Sequence, residues 1–155
     1  MSWRVDDRDE RGAVGGVEGL AFGVLIFVMG TLVIANAWSV IDTKMAVSAA
    51  AREAARAYVE SGSPSGEASA RRAAEATMRG HGHRSEDVVV EITSDGNLTA
   101  YRRCESAIAT VTAAVPQVAL PLLGRHASVT SVQATHAEVI DPYRSGLEGT
   151  AACGT

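Results

Sequence analysis

Aromatic residues make up only 5% of this 155-residue chain, cysteines number two and prolines four. With so few rings there is little material for lining a deep substrate pocket. Positive charge is not in excess either. A formal net charge of -4, with no basic stripe and interleaved aromatics, argues against nucleic-acid binding. The chain also lacks a GxSxG elbow, a phosphate-cradling GxxxxGK[ST] loop and an HExxH pair, so neither hydrolase nor nucleotide chemistry has a foothold. His81 and His83 flank Gly82, but a zinc site needs three or four ligands and no further Cys or His cluster has suitable spacing. His126 and His136 stand alone and read as polar surface residues. We therefore expect a protein without enzymatic activity, metal, cofactor or small-molecule substrate.

What is present is an uneven distribution of apolar residues. The 23 residues 19–41 contain no charge, and at about 1.5 Å of helical rise each they span the roughly 30 Å hydrocarbon core of a bilayer. The run predicts a transmembrane helix, taken over 14–41, with a short segment 1–13 before it and a domain 42–155 after it. Orientation is not decided by positive charge. Arg4, Arg8 and Arg11 precede the span, and Lys44, Arg52 and Arg56 follow it. Asp6, Asp7, Asp9 and Glu10 make the N-terminal segment a poor match to a secretory n-region, yet Ala35-Asn36-Ala37 has the form favoured by signal peptidase. A soluble binding module released by cleavage after Ala37 is the competing reading.

Beyond the span the helical period continues. Val40, Val47, Ala51, Ala54 and Tyr58 fall on one stripe, and Asp42, Arg52, Glu53, Arg56 and Glu60 collect opposite, so the helix is predicted to reach about Val59. SGSPSG at 61–66 breaks it, and Ser63-Pro64 suits the cap and first position of a second helix over 64–79. After the polar loop 79–85, VVVEIT at 88–93 reads as a strand ended by the Asp95-Gly96 turn signal. AIATVTAAV at 107–115 and SVTSVQATHAEVI at 128–140 are two more strand candidates, joined by the bend QVALPLLG at 117–124. The expected fold class is α+β: a long N-terminal helix whose first half is transmembrane, a short second helix and a small antiparallel sheet.

Cys104 and Cys153 lie far beyond the span with no CxxC or ligand-like spacing, so one disulfide in an oxidising compartment is expected, two unpaired thiols being the alternative. The loop so closed, about 49 residues, corresponds to roughly 4 kcal/mol in the chain-entropy model. A tail as glycine-rich as GLEGTAACGT has little apolar surface to hold it against a domain, which gives a cysteine near its end a purpose.

The short hydrophilic leader, the glycine-containing site, Glu18 opening the apolar helix, its continuation into AAREAARAYV and the small β-rich end together resemble the TadE-like proteins of tight-adherence (Flp-type) pilus systems. VALPLLG followed by SVTSVQATHAEVIDPYRSG is similar to the carboxyl-terminal part of the actinobacterial members. The resemblance implies a pilin-like fold and a non-catalytic minor pilin or pseudopilin role in pilus assembly or adhesion. It also implies a cytoplasmic N-terminus, an extracellular C-terminal domain and three kinds of partner: a prepilin peptidase, other pilin-like subunits and the assembly platform.

In that class the acid stands fifth after the cut, where it pairs with the new terminal amine of a neighbouring subunit. Counting back from Glu18 puts the cut between Ala13 and Val14, while a leader ending in Gly12 would start the product at Ala13. Physical chemistry offers Glu18 a second role: an acid at a helix N-terminus gains about 0.3–1 kcal/mol from the dipole, and at headgroup depth it avoids the cost of the bilayer centre. Gly15, Gly19 and Gly23 recur every fourth residue, a tandem GxxxG that lets a second helix approach closely in lipid, although glycine is common in membrane helices generally.

Overall fold

The computed structural model describes residues 11–84, 87–94, 101–116 and 130–153, with side chains from Glu18 onward. Most of the predicted leader, the Asp95-Gly96 turn signal, the bend at 117–124 and His126 lie outside the described residues. The elements are helix α1 (Arg11–Ser61), a single 3-10 turn (Pro64–Gly66), helix α2 (Glu67–Gly80) and strands β1 (Val88–Ser94), β2 (Ser106–Ala114) and β3 (Ser131–Val139). This is the expected α+β class, with one long helix, one short helix and a three-stranded antiparallel sheet.

The chain divides into two compact units, Met1–Trp38 and Ser39–Thr155. Within the first, the described part is helix alone. In the second, α1 changes character because its sequence does. Ala46, Val47, Ala50, Ala51, Ala54, Ala55, Tyr58 and Val59 are all buried, in pairs three or four residues apart, while Arg52, Glu53, Arg56 and Glu60 face solvent. Val40, which the helical period places on the same stripe, is instead 38% exposed. The buried stripe begins at Thr43, whose hydroxyl is satisfied by Ser39 O at 2.7 Å.

Alternation organises the sheet in the same way. Along β2 the buried positions are Ala107, Ala109, Val111 and Ala113, every second residue, as a pleated strand with one covered face requires. The order β1-β2-β3 is an antiparallel meander, in which Thr110 stands opposite Glu91 on one side and Thr135 on the other. The buried alanines of α1 and of β2 belong to one core, which also holds Ala70, Ala74 and Met78 of α2 and Ile92 and Ile140. Ser39 Oγ donates to Pro116 O at 2.7 Å, and Lys44 Nζ donates to Gln133 O, which ties the start of this unit to the ends of β2 and β3.

Ser63 accepts from the Ser65 amide at 3.2 Å and Pro64 opens the turn that leads into α2. Gly66 is buried there, and a Cβ would lie 2.1 Å from Ser61 Oγ and 3.2 Å from the Tyr58 ring, so the position takes glycine.

Candidate functional site

Two regions of α1 carry features that packing alone does not explain: its apolar N-terminal stretch and its C-terminal end.

The apolar stretch is exposed along its length. Leu20, Phe27, Ile34 and Trp38 show 70%, 74%, 69% and 69% of their surface, an arrangement that costs roughly 1.5–3 kcal/mol per large side chain in water relative to burial. A helix from Glu18 to Ser61 holds a segment long and apolar enough to cross a membrane, none of that segment being buried within the protein. Both a membrane anchor and a signal sequence have this character. Glu18 stands exposed at its beginning. Around Gly19 and Gly23, as around Gly30, no atom lies within 4 Å of an added Cβ, so the glycine face is open. Gly12, Ala13, Val14 and Gly15 have helical backbone within α1; their side-chain surroundings lie outside the described residues. Thr31 returns its hydroxyl to Phe27 O at 2.8 Å, which satisfies a polar side chain inside the run.

The C-terminal end of α1 is closed by residues far away in sequence. A helix leaves its last four carbonyls without intrahelical partners, and α1 has no basic residue in its last turn to complement them. Arg144 supplies the charge: Nη1 donates to Val59 O at 2.5 Å and Nη2 to Glu60 O at 2.9 Å. The Tyr101 hydroxyl also donates to Val59 O, and Ser61 Oγ covers Tyr58 O at 2.6 Å. Gly62 adopts φ +69, the left-handed conformation that ends many helices, and a Cβ there would stand 2.6 Å from Arg144 Nη2. Glycine is needed twice over at this position, for its φ and for its missing side chain. The Tyr58 and Tyr101 rings meet edge to face at 5.7 Å, both almost wholly buried. Burial pushes both hydroxyls above the ordinary tyrosine range, with Arg144 pulling Tyr101 partly back.

Cys104 and Cys153 are joined in a disulfide, as the oxidising-compartment reading expects. The two histidines of the HxH pair separate. His81 is exposed, while His83 is largely buried with Nε2 3.8 Å from Asp42 Oδ2 on α1. Among the described residues no group of three or more His, Cys, Asp and Glu is placed to hold a metal. His136 is half-buried on β3, on the same face as Val132 and Ala134, which pack on the core, so it is not the plain surface residue its isolation in sequence suggests. Between α2 and β1 lies a shallow polar groove of about 170 Å³, lined by Glu67, Arg71, Val90, Glu91 and Ile92. That is smaller than the roughly 300 Å³ at which pockets for small organic ligands begin.

No family model, curated protein or solved structure matches this chain.

Sequence reasoning missed the closure of α1 by Arg144 and Tyr101. Gly62 after a helix was a visible signal that the helix ends there, but nothing local indicates which side chain arrives from 85 residues away.

Proposed function

We propose that the protein is a single-pass membrane component of the pilin-like type: a non-catalytic minor pilin or pseudopilin of a tight-adherence pilus assembly system, acting in assembly or adhesion. The observation that carries the reading is α1 itself. Its N-terminal stretch is apolar and largely exposed, and the same helix continues into an alanine-faced half that shares a core with a small antiparallel sheet. Bilayer lipid removes the apolar stretch from water; a sheet-bearing head then projects from the membrane. The disulfide supports a head on the oxidising side of the membrane, with the N-terminus in the cytoplasm. Glu18 at the start of the run and the open face at Gly19 and Gly23 suit lateral packing against other pilin-like subunits. The proposed partners are those subunits, the assembly platform, membrane lipid and a prepilin peptidase acting near Gly12, Ala13 and Val14.

One observation favours a second reading. The boundary between the two compact units falls after Trp38, one residue beyond the Ala35-Asn36-Ala37 signature, so cleavage after Ala37 would leave the second unit whole. N-terminal sequencing of the mature product, with a cognate prepilin peptidase co-expressed, separates the two. A product beginning at Val14 or Ala13 and resisting carbonate extraction is expected. A soluble product beginning at Trp38 would replace the pilin-like anchor with a secreted module. With the anchor retained, Glu18→Ala is expected to impair assembly more than membrane insertion, since it makes the span more apolar.

A further inference from the structure

The C-terminal tail forms a strap over the end of α1, and one residue holds both ends of that strap. The Cys104 amide donates to Ile140 O at 3.1 Å, where β3 has just finished, and the Cys104 sulfur is bonded to Cys153. Between these two anchors the chain carries Arg144 onto the carbonyls of Val59 and Glu60. Arg103, the neighbour of Cys104, binds the strap along its course: Nε donates to Arg144 O at 3.0 Å and the Arg103 amide donates to Glu148 O at 3.1 Å. Apolar attachment is slight. Leu147 is the strap residue that packs partly on the core, and most of the segment is exposed. Gly146 and Gly149, at φ +81 and +106, give the open chain many conformations to regain. Cys104 itself sits at φ +65, a left-handed conformation that is costly for a residue with a side chain and persists where its surroundings hold it.

We propose that the Cys104–Cys153 disulfide is a redox-dependent latch for the end of α1. Oxidised, it closes the strap and seats Arg144 on the helix C-terminus; reduced, it frees the strap and uncaps the last turn while the sheet stays folded. Closure is a thiol–disulfide exchange with a disulfide oxidant. One cysteine thiolate attacks the oxidant's S–S bond to give a mixed disulfide, and the second displaces it. The Cys104–Cys153 bond forms, the oxidant's bond breaks, and two electrons and the two thiol protons end on the oxidant as a pair of thiols. A domain delivered from a reducing to an oxidising compartment therefore completes its long helix last. This inference is independent of the pilus reading, because it needs only the described geometry and a change of redox environment.

Amide hydrogen exchange on the full chain in detergent micelles tests it, comparing protein oxidised with glutathione disulfide against protein reduced with dithiothreitol. Reduction is expected to speed exchange about fivefold or more at residues 58–62, on the scale of a lost charged cap, and at 141–153, with β2 unchanged. Oxidised Arg144→Gln is expected to speed exchange at 58–62 alone, which assigns the effect to the guanidinium. Unchanged exchange at 58–62 on reduction would overturn the latch. Loss of protection across β2 as well would also overturn it, because the disulfide would then be a staple for the whole domain.

Discussion

At the scale of single residues, the end of α1 depends on three side chains with different physics. Arg144 brings a positive charge to the negative end of the helix dipole, Tyr101 a hydroxyl donor to Val59 O, and Gly62 the room for the guanidinium. The tyrosines give this cluster a pH dependence. Folding raises the hydroxyl pKa of Tyr58 and Tyr101 above the ordinary value of 10.0, because burial disfavours the phenolate. Their contribution to stability is therefore complete below pH 10 and is lost as the pH rises through the raised folded-state values. Denaturant midpoints followed by circular dichroism are expected to hold through pH 9 and fall above pH 10, and a flat profile would refute the argument. Tyr101→Phe is expected to cost about 1 kcal/mol near neutral pH, from the lost bond to Val59 O, and to soften the alkaline fall by removing one of the two titrating groups.

At the scale of elements, α1 and β2 each contribute a row of fully buried alanines to one core. Positions buried this completely leave little room for an added branched side chain. Ala54→Leu is expected to destabilise the Ser39–Thr155 unit by about 1–3 kcal/mol through overpacking, although leucine is a good helix former. Glu53→Ala, one position away on the solvent face, is expected to stay within about 0.5 kcal/mol of the parent. Thermal melts of the two variants make the comparison. Equal effects would mean that the stripe is not tightly packed. The exposed pair Arg56 and Glu60, 2.8 Å apart, belongs with the surface positions: a solvated i,i+4 ion pair adds little.

At the scale of the whole molecule, the exposed apolar stretch and the folded head place opposite demands on their surroundings. The head buries a core of its own; the stretch from Leu20 to Trp38 has none. Phe27→Arg, inside that stretch, introduces a charge that insertion scales put at about 2.5–3.5 kcal/mol near the bilayer centre. It is expected to reduce carbonate-resistant membrane association of the full chain, with the disulfide-bonded head unchanged. Retention equal to the parent would show that the stretch does not occupy the bilayer core.

Much of this architecture was legible in the chain. An uncharged run of 23 residues sets its own requirement for an apolar environment, whatever the rest of the protein does. The helical period through Ala51, Ala54 and Tyr58, the Ser63-Pro64 start of the 3-10 turn that leads into α2 and the alternation of β2 are local signals, because their causes are local: side-chain spacing, a hydroxyl that caps the turn and the strand pleat. Even the pairing of Cys104 with Cys153 was accessible, since two cysteines allow one intramolecular bond. Tertiary structure alone decided the rest. Val40 obeys the helical period and is nonetheless exposed, since the core that would cover it begins at Thr43. His83 leaves its neighbour His81 and turns toward Asp42 because packing chose one imidazole of the pair. The cap on α1 came from Arg144 because carbonyls left open at a helix end accept any donor that the fold brings within reach, and sequence spacing carries no record of which one arrives.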